Sequence, residues 1–193
     1  YVRPGTALDG EAAARATSVY FPDLTLPMLP EKLSNDLCSL RPAVPRLTVS
    51  VLMDISADGR VRRSEFAPSI IRTVERMTYT SVFRILEGDE AERRRYAGLV
   101  ESFLVMRDLA RALRARRMDD GGLDFDLVEP ELVYEEGKLL AVAAAERNEA
   151  HRLIEEFMVA ANVAVATFLT ERKIPSIYRV HPVPAEADLD KLR

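Results

Sequence analysis

One acidic stretch has residue types and spacing that could support phosphoryl chemistry. The sequence "MDDGGLDFD" places Asp119, Asp120, Asp124 and Asp126 close together. Four carboxylates could hold Mg²⁺ ions, which activate water and stabilise a leaving oxygen. However, Asp119 and Asp120 adjoin two glycines, where Asp is common in turns, and Asp124 and Asp126 share one strand face. We therefore favour a turn and a polar strand face over a metal site.

A second acidic stretch has the ligand spacing of a calcium-binding EF-hand loop. It reads "DISADGRVRRSE" and occupies positions 54–65. An EF-hand needs a helix on each side, whereas both flanks here alternate as strands do, and Arg62 and Arg63 would lie beside the cation. The Asp58–Gly59 pair is a common hairpin turn. The stretch therefore predicts a β-hairpin and no calcium site.

The Glu155–Glu156 pair is the most informative group of titratable residues. Neighbouring residues on a helix point about 100° apart, so one carboxylate can face the apolar side. We expect Glu155 to face inward, as a ligand-binding group or as a structural glutamate, and Glu156 to pair with Arg152. His151 and His181 lie in no recognisable catalytic or metal-binding spacing, which favours surface or capping roles.

The elements that would position these residues follow from apolar periodicity. Strands and helices are mixed without strict alternation, which predicts an α+β fold with a mixed sheet and long packed helices. The predicted elements are helical turns at Gly10–Arg15, a hairpin over 47–67, one helix over 91–120, a strand pair over 123–146 with its bend at 136–137, a helix over 148–173, a strand over 176–181 and a helix beginning near 184.

The stretch "LPMLPEKLSNDLCSL", positions 26–40, is apolar but is broken by Pro27 and Pro30. Each proline fixes its own φ and pushes the preceding residue towards extended geometry. The stretch therefore predicts an irregular arm packed against another surface. Cys38, the one cysteine, is expected to be a buried structural thiol. It permits no internal disulfide, and no disulfide partner is expected.

Composition limits the broad class of protein. The 193 residues are 48% hydrophobic and 30% charged, which is ordinary for one soluble domain. No apolar run reaches the roughly 18 residues that a membrane span needs, so no membrane partner is expected. The net charge of −4 does not indicate nucleic-acid binding, but clustered arginines can form a local basic groove on an acidic chain. The single cysteine favours a reducing compartment, and we expect the protein to be cytoplasmic.

Five blocks together resemble the ribonuclease II / ribonuclease R family of exoribonucleases, with a lean towards ribonuclease R. The blocks occur in the family's order and cover most of the chain. They are "TSVYFPDLTLPMLPEKLSNDLCSLRP", "RMTYTSVFRILEGD", "GGLDF", "HRLIEEFMVAANVAVA" and "YRVHPVP". The resemblance implies processive hydrolysis of RNA from its 3′ end to nucleoside monophosphates. Under it, the 26–40 arm is part of the wall of an RNA channel.

Four residues match positions that contact RNA in this family. Tyr20 and Phe125 match aromatics that stack on the bases, and base stacking holds RNA without reading its sequence. Tyr79 and Glu155 match residues that contact the sugar, where a hydroxyl and a carboxylate can bond a 2′-OH. The resemblance implies single-stranded RNA as the partner.

The chain departs from the family pattern in one important respect. The family's Mg²⁺ is held by an Asp-Pro-…-Asp-x-Asp-Asp motif, which the 193 residues do not contain. We therefore expect no catalytic or metal-binding residue in this chain, which would be a central piece of one catalytic domain, truncated at both ends. The Mg²⁺ would be held by a full-length enzyme, and this piece would be inactive alone. The alternatives are a non-catalytic RNA-binding or assembly module and a helical scaffold for protein partners.

Overall fold

The computed structural model describes residues 1–21, 24–123, 130–135, 138–144, 147–178, 180 and 182–184. Its elements alternate between short β-ribbons and helices. In chain order they are α1 (Ala7–Arg15), β1 (Val19–Tyr20), β2 (Thr25–Leu26), a π-helical segment (Lys32–Leu37), β3 (Pro45–Ile55), β4 (Val61–Arg72), α2 (Tyr79–Glu87), α3 (Glu90–Arg95), α4 (Val100–Asp119), β5 (Pro130–Glu135), β6 (Lys138–Ala144) and α5 (Glu149–Glu171).

The buried core lies where α2, α4 and α5 meet. Its buried apolar side chains come from these three helices and include Ile85 of α2, Leu113 of α4, and Ala150 and Leu153 of α5. Apolar residues three or four positions apart share one helix face, which is why each helix presents a stripe to the other two. We call this region the helical junction.

The helix predicted over 91–120 is two helices. The structure ends α3 at Arg95 and begins α4 at Val100, with Gly98 in the break between them. Glycine is about 1 kcal/mol less favourable than alanine inside a helix, and the periodicity of the apolar residues gave no sign of the interruption. The predicted end of the helix is confirmed, because Gly121 follows α4 with φ +93°.

The hairpin expected in place of a calcium loop is confirmed. Strands β3 and β4 pair antiparallel from Pro45↔Arg72 to Ile55↔Val61. Gly59 occupies the turn with φ +76°, which a side chain rarely permits. A Cβ there would lie 2.5 Å from the carbonyl oxygen of Ala112. The tip of the hairpin therefore lies directly against the backbone of α4.

The α+β class is confirmed, but the strands are not arranged as one mixed sheet. The described strands form three separate antiparallel ribbons, β1–β2, β3–β4 and β5–β6. The strand pair expected over 123–146 is present as β5 and β6, while its bend at 136–137 lies outside the described residues. The described part of 176–181 forms no strand, and the helix expected near 184 falls almost wholly outside the description.

The irregular arm over 26–40 is held against the start of β3 by one arginine. Arg46 donates through Nε to the Ser39 carbonyl at 2.9 Å and through Nη2 to the Asp36 carbonyl at 3.1 Å. Only 12% of the Arg46 side chain is exposed. The expectation that Cys38 is buried is wrong: Cys38 is exposed, and it caps the π-helical segment, which contributes no residue to the buried core.

Helix α5 is the longest helix that the structure describes, and it is rich in apolar residues. By length and apolar composition α5 could cross a membrane, although no uninterrupted apolar run has that length. Core helices of soluble proteins meet the same criterion. The Glu155 and Glu156 carboxylates within α5 are both paired with arginines. Length and apolar composition therefore do not by themselves make α5 a membrane-spanning helix.

Candidate functional site

Tyr79 and His151 form a stacked aromatic pair at the edge of the helical junction. Tyr79 is the first residue of α2, and the Thr78 hydroxyl caps that helix by accepting from the Ser81 N–H. The two ring centroids are 4.0 Å apart with an interplanar angle of 20°. Tyr79 remains 45% exposed, so its hydroxyl-bearing side chain is accessible beside the stack.

The first turn of α5 fixes the position of the His151 ring. Asn148 is the N-cap, and its side-chain oxygen accepts from the N–H groups of Ala150 and His151. The Nδ1 atom of His151 lies 2.9 Å from that oxygen and 3.4 Å from the backbone nitrogen of Asn148. The capping role expected for His151 is confirmed. The same cap therefore holds the ring on which Tyr79 stacks.

Glu155 lies one turn after His151 and pairs with Arg147. The Arg147 Nη2 donates to both carboxylate oxygens, at 2.9 and 2.7 Å. About a third of each side chain is exposed. The expectation that Glu155 faces the apolar side is wrong, because it lies at the rim beside solvent. An ionised carboxylate has about four acceptor positions, so Glu155 can accept a further hydrogen bond from a ligand hydroxyl.

The inward-facing carboxylate of the pair is Glu156. Only 4% of it is exposed, and Arg117 of α4 donates to its two oxygens at 3.2 and 2.5 Å. The expected pairing of Glu156 with Arg152 is therefore also wrong. Position 156 follows the buried Ala150 and Leu153 at intervals of three, and this repeat within the sequence could have indicated which glutamate turns inward.

A cavity of about 450 Å³ opens beside Tyr79. Its walls are mostly apolar and come from α2 and the residues just before it, from α4 and from α5, with Met77, Phe103 and Ile154 among them. Arg76 and Thr78 supply its polar groups. A mostly apolar pocket with a few polar groups is the usual form of a site for an organic ligand. A flat ring or sugar face could lie against this wall while Tyr79 bonds its hydroxyl groups.

The other two predicted contact residues lie elsewhere or outside the description. Tyr20 is on the β1–β2 ribbon, 76% exposed, and makes no ring contact with the Tyr79 stack among the described residues. Phe125 lies outside the described residues. The structure therefore brings together Tyr79 and Glu155, with His151 between them on α5.

The described residues do not fit a metal site. Among them, no group of three or more His, Cys, Asp or Glu side chains could hold an ion. Asp119 and Asp120 end α4, where Asp120 accepts from Arg116 at 3.1 Å, and Asp124 and Asp126 are not described. The described part of the chain therefore offers no ligand set for a cation.

Sequence reasoning missed three arginines that hold this region together. Arg117 reaches Glu156 from another helix, and Arg111 of α4 makes two bonds to Glu149 of α5, at 2.6 and 2.9 Å. The Glu149 carboxylate raises the pKa of Arg111. Arg147 precedes α5 by two residues. None of the three has a local spacing signal, since each pairing depends on how helices meet or on how the chain enters a helix.

Comparison with known proteins identifies the class to which this α+β fold belongs. The sequence model of the RNB domain matches residues 1–193. This chain belongs to the RNB domain family.

Ribonuclease R proteins are among its similar relatives. The chain is 40% identical over 194 residues to "Ribonuclease R" of Escherichia coli (strain K12), covering 100% of this chain and 24% of that protein. It is 44% identical over 185 residues to "Ribonuclease R 1" of Lactococcus lactis, covering 95% of this chain and 23% of that protein. The chain thus spans about a quarter of the length of these curated relatives.

A solved structure shares the whole fold. Mycoplasma genitalium RNase R, in complex with ribose-methylated single-stranded RNA, superposes with a TM-score of 0.89 at 32% identity. The match covers 100% of this chain and 30% of that one. The same protein has also been solved in complex with double-stranded RNA.

Proposed function

We propose that this chain is part of an exoribonuclease that hydrolyses RNA processively from the 3′ end and releases nucleoside monophosphates. The observation that carries the proposal is the match of the RNB domain to all 193 residues, together with about 40% identity to ribonuclease R. The stacked Tyr79 and the neighbouring Glu155 support it, because they supply a hydroxyl and a carboxylate at one accessible edge.

We assign the chain to the centre of a single RNB-type catalytic domain, where it forms part of the channel wall. The apolar surface of its ribbons supports this assignment. Val49 on β3 is 82% exposed and Ile70 on β4 is 69% exposed. Contiguous exposed apolar surface marks a place where other parts of a protein pack. Coverage of only a quarter of each relative agrees with a larger complete protein.

The proposed roles divide between sugar and base contacts. Tyr79 and Glu155 bond ribose hydroxyls, and a 2′-OH contact is what separates RNA from DNA. Tyr20 and Phe125 stack on bases, each stack contributing about 1–3 kcal/mol without sequence preference. The high exposure of Tyr20 suits a ring that is covered only when a base lies on it.

The hydrolytic step belongs to residues outside this chain. We propose Mg²⁺ as the cofactor, held by aspartates elsewhere in the complete protein, and single-stranded RNA in the cytoplasm as the partner. The residues of this chain bind and orient the strand. The alternative is a non-catalytic RNA-binding module that keeps the channel wall without the chemistry.

The complete protein, Glu155→Ala and Glu155→Gln should be compared on matched single-stranded RNA and DNA. We expect the complete protein to release nucleoside monophosphates from RNA with Mg²⁺ present. Glu155→Ala should narrow the preference for RNA over DNA by about tenfold, because a lost hydrogen bond to a charged group penalises only the strand with the 2′-OH. Glu155→Gln keeps one acceptor oxygen and should lose less. Binding constants and initial rates on both strands measure the effect.

Glu101→Ala is the matched control, since Glu101 is an exposed carboxylate on the first turn of α4. It should leave the RNA-to-DNA ratio unchanged. Because Glu155→Ala also deprives Arg147 of its carboxylate, thermal unfolding of each variant must be recorded. An equal loss on RNA and DNA would make Glu155 structural. Binding of RNA without release of monophosphates would support the non-catalytic alternative.

A further inference from the structure

A cluster of arginines surrounds a second cavity between α4 and α5. The cavity has a volume of about 270 Å³. Four guanidinium groups line it against two carboxylates: Arg107, Arg111, Arg114, Arg152, Glu149 and Glu156. Both carboxylates already accept hydrogen bonds, Glu149 from Arg111 and Glu156 from Arg117. The lining therefore has an excess of positive charge.

Arg152 is the member of this cluster whose charge is not balanced. Its Nε–H is buried and has no hydrogen-bond partner, and no ion pair joins Arg152 to any residue that the structure describes. The carboxylate one turn along α5 that would normally pair with it, Glu156, binds Arg117 instead. Arg152 as a whole is only partly buried, but a buried N–H donor without an acceptor is costly. Arg152 is thus positioned for an anion that the described residues do not supply.

The position of Arg152 relative to Glu155 indicates which anion. Residues three apart on a helix are neighbours on its surface, with Cβ atoms about 5–6 Å apart. Glu155 is the residue to which we assign a ribose contact. Each ribose in an RNA strand is flanked by phosphates, and guanidinium groups match phosphate oxygens in charge and geometry. Arg107, also at the cavity, adds a second guanidinium from α4. Its Nε and Nη2 contact the neighbouring Asp108 at 2.9 and 2.8 Å, which leaves Nη1 for a further acceptor.

We propose that this cavity binds one phosphate group of the RNA strand, with Arg152 as its main ligand and Arg107 as a supporting one. The proposal rests on the proposed function, because it needs a strand whose sugar lies at Glu155. It adds a contact that fixes where the backbone passes α5. A carboxylate from the rest of the complete protein is the competing occupant.

The test compares the complete protein with Arg152→Met, which removes the charge at similar length, and Arg152→Lys, which keeps the charge and loses the fork. Binding of a fluorescently labelled single-stranded RNA is measured over roughly 50–200 mM salt, in chelator so that the strand stays intact. One lost phosphate contact should lower the slope of log affinity against log salt by about 0.7. Arg152→Met should weaken binding about tenfold, and Arg152→Lys less.

Arg94→Met is the matched control, since Arg94 lies on α3, outside the cavity, with 78% of its side chain exposed. It removes the same charge and should change neither slope nor affinity at fixed salt. If Arg152→Met does not fold, the RNA affinity of Arg152→Lys tests the phosphate contact instead. Calorimetric titration with inorganic phosphate distinguishes a phosphate of RNA from a free phosphate ion. If Arg152→Met loses binding of inorganic phosphate while its RNA affinity and salt slope are unchanged, the RNA assignment is overturned.

A lowered melting temperature of Arg152→Met without RNA, joined to unchanged RNA affinity, would identify a carboxylate of the protein itself and overturn the proposal. If the complete protein degrades RNA and discriminates through Glu155 while Arg152 has no effect, only this inference fails. If the complete protein neither binds nor degrades RNA, the proposed function fails and this inference fails with it.

Discussion

The helical junction and the β3–β4 ribbon are stabilised in opposite ways. The junction buries Ile85 completely and covers Glu156 with a countercharge from Arg117. Strands β3 and β4 are each longer than α1, α2 or α3, yet the ribbon leaves Val49 and Ile70 largely exposed. The junction therefore buries its apolar groups and pairs its buried carboxylate within this chain, and Arg152 is the exception among its charged groups. The ribbon depends on what packs against it. Among the described residues its tip lies against α4, and Phe66 of β4 packs on Phe168 of α5 with the ring centroids 4.3 Å apart.

The largest expected effect tests the junction. Arg117→Met leaves the Glu156 carboxylate buried without its main countercharge. Removing one partner of a buried ion pair is strongly destabilising, and because Arg117 is 30% exposed we expect a loss near the lower end, about 3 kcal/mol in the free energy of unfolding. Denaturant unfolding of the complete protein measures it.

The Arg94–Glu90 pair supplies the contrast for that experiment. Its atoms are 3.9 Å apart, and both side chains are more than three-quarters exposed. Exposed ion pairs contribute about 0–1 kcal/mol, so Arg94→Met should change the unfolding free energy little. Similar losses in Arg94→Met and Arg117→Met would show that the junction gains nothing special from burying its charges.

The next effect tests how the ribbon is attached. Gly59→Ala places a Cβ 2.5 Å from the Ala112 carbonyl oxygen and also strains a backbone with φ +76°. Gly5→Ala has nearly the same φ, +78°, with nothing within 4 Å of the added Cβ. The strain of about 1–2 kcal/mol is common to both, and crowding should add about 1–3 kcal/mol at Gly59 alone. Thermal unfolding and hydrogen exchange at the hairpin tip measure the difference. Equal losses would mean that the tip does not need its contact with α4.

The smallest effect concerns the acid sensitivity of the hairpin turn. The Ser56 hydroxyl donates to the Asp58 carboxylate at 2.5 Å and lowers the pKa of Asp58. A carboxyl whose pKa is lower in the folded state stabilises the fold above its unfolded pKa, and that contribution is lost as the pH falls through the folded pKa. The turn should therefore loosen in acid, below about pH 4.

Ser56→Ala should raise the pKa of Asp58 towards its ordinary value and reduce this acid dependence. Titration of the Asp58 carboxyl by NMR measures the change. Asp89 is the internal control, because the backbone N–H groups of Glu92 and Ala91 lower its pKa, and neither depends on Ser56. An unchanged Asp58 titration in Ser56→Ala would assign the shift to the backbone of the turn.

Local patterns were sufficient where neighbouring residues decide the conformation. The Asp58–Gly59 turn between alternating strands predicted the hairpin, and the glycines after α4 predicted where that helix ends. The same reasoning failed at Gly98, where it predicted one continuous helix. A helix can contain a single glycine where packing favours it, and the sequence does not show how these segments pack. It also failed for Cys38, whose apolar neighbours suggested a burial that the π-helical segment does not provide.

The same distinction between local sequence patterns and long-range packing applies to the candidate site. The sequence by itself predicted, through the resemblance, that Tyr79 and Glu155 contact RNA, and this remains a prediction. It also indicated that one long helix carries the acidic pair and that the fold is α+β. The tertiary structure alone decided that Arg117 is the partner of the buried Glu156, that Arg147 holds Glu155 at the rim, and that Arg152 pairs with no carboxylate among the described residues. The physical reason is the distance along the chain between the interacting residues. Helix periodicity relates residues within one turn, whereas a countercharge from α4 or from the chain before α5 reaches its carboxylate only once those segments have packed together.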